Sequence, residues 1–270
     1  MSSPPAVQTD NPSFYDRHWE RTDTSNDPNI IAKAKLIVAM IPEDVRTIVD
    51  VGCGDGFITH RLAERWDVTG IDRSPVAVSK LRCRAVEASA DALPLPDHSV
   101  DLVHSSQMLE HLPDGVYERA IVEMNRVTSK WLLLSVPYRE QLARRVALCP
   151  QCGLQFHTDG HLRSFDENVF DAAFPDFERV RTEHVGPPEK PSYASLEHAR
   201  HKYAKRWYMW KGAKIECPKC GETNFGPLPR NFWHKLVDQT LDRATSIANL
   251  WNRRKPEPYW IITLMKRRSL

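Results

Sequence analysis

The sequence lacks any uninterrupted apolar run near the roughly 18 residues that a spanning helix needs, so no transmembrane segment is expected. Its opening, MSSPPAVQTDNPS, has no basic stretch followed by an apolar one, and the reading is a soluble, cytoplasmic chain without a secretory leader. Charge of one sign is missing too. With 37 Lys and Arg against 35 Asp and Glu the formal charge is +2, so any case for nucleic acid or a membrane surface must rest on a local patch. No repeat of fixed period occurs, and the six cysteines do not suit a disulfide framework. Four of them form two C-x-x-C pairs, whereas Cys53 and Cys83 stand alone and are expected to be inert buried thiols.

The chain of 270 residues is long enough for one large domain carrying a sizeable insertion. The first dozen residues are polar and Pro-rich and are expected to be disordered. From Ile30 onward, helical spacing in IIAKAKLIVAM gives way to the β-branched run TIVDV, and segments of the two kinds then alternate as far as KWLLLSVPY. That alternation predicts an α/β fold, a Rossmann-like doubly wound and mostly parallel sheet. After Tyr138 the rhythm breaks. It resumes with a helix in SFDENVFDAAF, for which Ser164 is the expected N-cap, and a strand in FERVRTEHV, before GPPEKP marks an exit from the layer. The expected divisions are a tail and lid at 1–29, a core at 30–138, an insertion at 139–163, core again at 164–186, a second insertion at 187–256 and a last strand at 257–270.

In TIVDVGCGDGF a strand ends near Asp50 and turns through Gly52, Gly54 and Gly56, with Cys53 between the first two glycines. Glycine is required where backbone must approach a ligand at the carboxyl edge of a parallel sheet. The spacing differs from the G-x-G-x-x-G of dinucleotide sites, and an acid before the turn suits a ligand bearing an ammonium group better than a pyrophosphate. Asp72, 22 residues after Asp50, should end the next strand beside Arg73 and accept two ribose hydroxyls. Asp91, with Ala92, follows the third strand.

Together, VDVGCGDGF, VTGIDRS, ASADALPLPDHSVDLVHSSQMLEHLPD and WLLLSVP resemble the class I S-adenosylmethionine-dependent methyltransferases, and most of all the methyltransferase type 11 domains. The resemblance is continuous over about residues 30–138 and weaker in GHLRSFDENVFDAAF and the final strands. It implies a seven-stranded sheet with an antiparallel last strand. It also implies that Asp50, Gly52 and Gly54 hold the amino acid part of the cofactor, Asp72 the ribose, Asp91 and Ala92 the adenine, and Gln107 the methionine portion. In FYDRHWE, Phe14, Tyr15 and Trp19 are lid candidates or an anchoring aromatic stripe. Some quinone-biosynthesis relatives carry Glu-x-x-Glu-His and use a divalent metal; Gln107 stands at the first Glu and speaks against one here.

A sulfonium methyl is already activated, so the remaining work is to align an acceptor and exclude water. Topology nominates QMLEHLPD and FHTDGHLRSFD for the acceptor side, hence His161, then His111, then Glu110 as catalytic candidates. The alternatives are that Glu110 and His111 orient their own loop and that His157 and His161 make supporting hydrogen bonds.

CPQCG and CPKCG are near copies, and together Cys149, Cys152, Cys217 and Cys220 supply the four thiolates of a closed tetrahedral Zn2+ site with a structural role. From Glu197 to Glu257 there are 13 Lys and Arg against 6 Asp and Glu, interleaved with Tyr203, Trp207, Tyr208, Trp210, Phe232, Trp233 and Trp251. Such a segment fits an anionic sugar nucleotide or a lipid-linked glycan, or a nucleic-acid surface. The helix FWHKLVDQTLDRATSIANLW carries an apolar stripe expected to pack on the insertion's own core or on a second subunit, giving a homodimer through 232–252, while its opposite face mixes Asp238, Asp242 and Arg243, unlike a strongly basic membrane-surface helix. The leading expectation is methyl transfer to O or N of a small-molecule or carbohydrate-type acceptor held by the zinc-clasped insertion. An RNA methyltransferase and a non-catalytic zinc-stabilised binding module are the alternatives.

Overall fold

The computed structural model describes residues 12–208, 215–226 and 228–269. The N-terminal stretch read as disordered, up to residue 11, and Trp210 lie outside the described residues. Two compact units emerge: a sheet unit up to Tyr138 that continues through Phe165–Pro187 and Pro258–Leu270, and a second unit formed by Arg139–Ser164 and Pro188–Glu257.

The sheet unit opens with α1 (Pro12–Arg21) and α2 (Pro28–Met40). Asp27 caps α2 by accepting from the amides of Asn29 and Ile30, and Pro28 occupies a first-turn position whose missing N–H costs nothing. Then follow β1 (Thr47–Val51), α3 (Phe57–Ala63), β2 (Asp67–Asp72), α4 (Pro75–Ser79), β3 (Arg84–Glu87), β4 (Val100–Ser106), α5 (Asp114–Val127) and β5 (Thr128–Pro137). The second unit contributes the hairpin β6 (Val146–Leu148) and β7 (Gln155–His157). The chain returns through α6 (Glu167–Ala173) and β8 (Phe177–Glu189), leaves again for α7 (Ala194–Ala199) and α8 (Phe232–Trp251), and ends in β9 (Glu257–Arg267).

The seven strands are ordered β3-β2-β1-β4-β5-β9-β8, and β9 runs antiparallel to β5 with Leu133 opposite Leu264. Because side chains alternate across a strand, one sheet face takes Val49, Val103, Leu132 and Ile261 against Met124 and Phe170. The other takes Ile48, Leu102, Leu133 and Ile262 against Ile37, Met40 and Leu62. Helices thus cover both faces, which is the doubly wound α/β arrangement the alternation predicts. Among the described residues no helix is long and apolar enough to cross a membrane.

Three expectations are corrected. Asp166, not Ser164, caps α6, accepting from the amides of Asn168 and Val169, while the neighbouring Phe165 bridges to Tyr138. GPPE does not leave the layer at once: β8 runs through it, because an edge strand tolerates the prolines' missing N–H groups. A Cβ on Gly186 would lie 2.6 Å from Trp260 Cε3, so glycine there lets the indole close on the strand. Cys83 is only half-buried, unlike Cys53.

Candidate functional site

At the carboxyl end of β1 the chain enters the glycine turn with φ of +78° at Gly52, +56° at Gly54 and +80° at Gly56, all in the region that favours glycine. The amides of Gly52 and Cys53 both donate to the Ile71 carbonyl, which ties the turn to β2. Space is short as well. A Cβ on Gly52 would sit 2.6 Å from Met108 Cγ, and one on Gly54 would sit 2.5 Å from the Trp19 indole. Trp19 therefore covers the turn from α1, which is held down by Asp16 accepting from Ser74 Oγ at 2.5 Å and by Lys80 donating to the Trp19 carbonyl. Tyr15 lies under the Arg73 guanidinium and edge-on to His111 at 6.5 Å.

The acids divide by depth. Asp50 is buried, with one oxygen accepting from Thr59 Oγ1 at 2.6 Å and the other from His104 Nδ1 at 2.7 Å. Asp72 closes β2 and accepts from the amides of Gly54 and Ser74, both at 3.0 Å. Burial raises its pKa above the ordinary carboxylate value against those amide bonds. Asp91 accepts from Ser89 and, at 2.7 Å, from Arg119, and these bonds hold its pKa below the usual range. The Ala92 amide donates to the Ser89 carbonyl. Gln107, just past β4, adopts a left-handed φ of +58°, rare for a residue with a Cβ and a mark of local strain. Its Oε1 accepts from the Trp260 indole at 2.8 Å.

Glu110 is completely buried beyond β4, and His111 follows it at the end of the same short turn. Lys33, which sequence reasoning missed, is also buried, with its ammonium 4.5 Å from the centre of the Trp260 ring. Burial lowers its pKa to about 8, while the Glu110 charge pulls it back up. The available signal was a lysine inside the buried stripe of Ala34, Ile37 and Met40 on α2. Between pH 8 and 10.5 the unfolded chain holds this proton and the folded one releases it, so folding stability rises with pH across that window. Relative to a Lys33→Met variant, wild type should gain roughly 3 kcal/mol from pH 8 to 10.5, the equivalent of the shift. Urea unfolding at a series of pH values checks this, and parallel curves would contradict it.

In the second unit, the four cysteine sulfurs lie within 4.8 Å of one another, with Cys149 and Cys220 at 3.6 Å and Cys152 and Cys217 at 3.7 Å. Tetrahedral Zn–S bonds of about 2.3 Å imply sulfur separations of about 3.8 Å, so the donor set fits zinc. The two knuckles share one hydrogen-bond pattern: the Gly153 amide donates to the Cys149 carbonyl and the Gly221 amide to the Cys217 carbonyl. Both glycines are left-handed, at +72° and +74°. Burial raises Cys149, but the amides of Cys152 and Gln151 outweigh it and bring the thiol to about 7, whereas burial pushes Cys217 up to about 12. Four thiolates this close need a cation between them to ionise together.

A second donor cluster in this unit joins Glu140, His157, Asp159 and His161. His157 Nδ1 accepts from the amides of Asp159 and His161, so Nε2 carries the hydrogen, 3.6 Å from Glu140 Oε1, and offers no lone pair to a metal. The cation of this cluster is already present: Arg145 pairs with Asp159 at 2.8 Å and Glu140 at 3.6 Å. His161 Nδ1 donates to Glu140 Oε2 at 2.5 Å, which fixes the tautomer with the hydrogen on Nδ1. Burial lowers the pKa of His161 to about 4 and keeps it neutral. Glu140 was not foreseen, since nothing local in the sequence pairs it with a histidine 21 residues on.

Fold and turn define the class I methyltransferase architecture. Residues 48–130 match the family described as a methyltransferase domain. Curated relatives are the trans-aconitate 2-methyltransferases of Enterobacter sp. (strain 638), 34% identical over 113 residues, and of Escherichia coli O139:H28, 31% over 112 residues. Each alignment takes in 38% of this chain, which spans about two fifths (41%) of the length of those relatives. Among solved structures, the 1,6-didemethyltoxoflavin-N1-methyltransferase of Burkholderia thailandensis superposes with a TM-score of 0.55 at 13% identity over 100% of this chain and 94% of that one. A SAM-dependent methyltransferase from Archaeoglobus fulgidus superposes with a TM-score of 0.54 at 12% identity, over 94% and 99%. At these identities the likeness is one of fold.

Proposed function

We propose that the chain is an S-adenosylmethionine-dependent methyltransferase that modifies an oxygen or nitrogen of a small-molecule or carbohydrate-type acceptor. The carrying observation is the left-handed glycine turn at the end of β1 with Asp72 beside it at the end of β2. When bound, S-adenosylmethionine supplies an electrophilic methyl on a sulfonium. The backbone at Gly52 and Gly54 would hold its amino acid part, Asp72 the ribose hydroxyls, and Asp91 with Ala92 the adenine edge. Asp50, committed to Thr59 and His104, would add negative potential beneath the turn and fix its shape. Gln107 and Trp260 would flank the methionine portion, and Trp19 would close over the turn.

His161 is the candidate that would receive an acceptor's proton, and Glu140 holds its ring in the required tautomer. His111 and Glu110 would shape the acceptor side, with Lys33 next to Glu110 in charge. The four cysteines would bind one structural Zn2+ that holds the second unit's two segments together. The curated relatives are trans-aconitate 2-methyltransferases, a likeness that supports a small acceptor without choosing it.

Calorimetry with S-adenosylmethionine, followed by a metabolite screen for labelled methyl transfer, tests this reading. Saturable binding plus transfer abolished in His161→Gln is expected, since a positioned acid or base contributes about 10²–10⁴-fold. Binding without transfer to any acceptor class would favour the non-catalytic binding module.

A further inference from the structure

Helix α8 turns only part of its apolar stripe toward its own unit: Val237, Leu241 and Ala244 are half-buried, while the rest faces outward, which the second-subunit alternative also allows. Its outward face carries Phe232, Trp233, Leu236, Ile247, Leu250 and Trp251, with Leu250 80% and Trp251 88% exposed. Its inward face carries Asp238, which is buried and accepts from Arg206 at 3.0 Å and Arg230 at 2.6 Å. Asp242, on the flank, pairs with Arg200 at 2.7 Å. Those arginines hold both acids of the helix, so a helix with mixed charge in sequence shows apolar groups and cations on its open side.

The exposed positions recur in steps of three and four, at 233, 236, 240, 243, 247 and 250, as one continuous stripe. Exposed cations border it: Lys235 beside its start, Arg243 within it, and Arg253, Arg254 and Lys255 directly after Trp251. We propose that this face is a docking surface for an anionic lipid bilayer, with α8 lying in the plane of the headgroups.

Charge decides between a bilayer and a second copy of the chain. In a two-fold pairing of this face Arg243, near the middle of the helix, would meet its own copy among apolar side chains, while the neighbouring Asp242 already pairs with Arg200 at 2.7 Å and Arg206 at 3.5 Å. At a lipid surface the same side chain lays its stem along acyl chains and extends its guanidinium to a phosphate. The ring placement agrees. Phe232, Trp233 and Trp251 all stand on the outward face, so a helix lying in the plane brings each ring to the headgroup boundary, where indoles suit. Arg253, Arg254 and Lys255 then supply the attraction that selects anionic lipid.

The test is co-sedimentation with phosphatidylcholine vesicles, with and without phosphatidylglycerol, at low and high salt, alongside the mass in solution. Wild type should partition about tenfold or more in favour of the anionic vesicles and be released by salt, as apolar insertion assisted by basic groups requires. Trp233→Glu with Leu250→Glu, both on exposed positions, should lower binding about tenfold or more at unchanged circular dichroism and metal content. Arg243→Glu should weaken it in the anionic arm alone. Equal sedimentation of wild type and double variant, or none with anionic vesicles, overturns the proposal. So does a wild-type dimer that the same two substitutions turn into a monomer, which would assign the face to a second copy. None of these readouts depends on methyl transfer.

Discussion

Replacing Cys149 or Cys217 by serine is expected to remove close to one zinc per chain and to unfold the second unit, the largest effect foreseen for this protein. Among the described residues the apolar cluster of that unit has Ala147, Cys149, Phe156, Ile215 and Cys217 as its buried members, so two of the five are proposed zinc ligands. Phe156 and Phe225 meet edge-on at 5.8 Å, and Leu154 packs against the same cluster. A structural zinc contributes an apparent 10–16 kcal/mol or so at neutral pH, comparable with or above the roughly 5–15 kcal/mol that stabilises a whole domain. Metal analysis and proteolysis of the stretches 139–164 and 188–257 measure the effect. Wild-type protein that is metal-free, folded and protease-resistant in both stretches would contradict the site.

Second in size is the loss of S-adenosylmethionine binding in Asp72→Ala. A charged carboxylate accepting two hydroxyls gains about 1.5–3 kcal/mol from each, so removal should weaken binding roughly 10²- to 10⁴-fold. The amides of Gly54 and Ser74 lose their acceptor at the same time and loosen the turn. Asp72→Asn keeps one acceptor oxygen and should fall between wild type and alanine. Gly52→Ala attacks the same site from the backbone, since its Cβ would meet Met108 in a left-handed conformation. Calorimetry on each variant, with zinc content as a check on folding, decides. Undiminished affinity in both Asp72→Ala and Gly52→Ala would remove the site from this edge of the sheet.

The sheet unit was largely legible in sequence because its code is local. Apolar runs of five to ten residues between amphipathic segments specify buried strands with crossovers, and glycines after Asp50 can serve only a turn of unusual φ. The cysteine boxes were legible for the same reason, each being a complete two-ligand turn within five residues. The acceptor-side candidates were only partly legible. His161 could be named, but not Glu140 as its partner, nor the neutral state that burial imposes. Asp50 was readable as an acid beside the turn, whereas its bond to His104, 54 residues away, depends on β4 pairing with β1.

The sequence by itself determined the alternating α/β order, a glycine turn flanked by acids at strand ends, and two matching cysteine turns, because neighbours along the chain carry each of these. Tertiary structure alone decided which side of α8 faces outward. Periodicity defines two faces of a helix but does not say which one is covered. Arg206, 32 residues away, and Arg230 draw Asp238 inward through charge-assisted bonds and leave the tryptophans outside. Lys33 followed the same rule in the other unit: only the packing of α2 beside Trp260 decided that an ordinary-looking lysine would be buried and lowered in basicity.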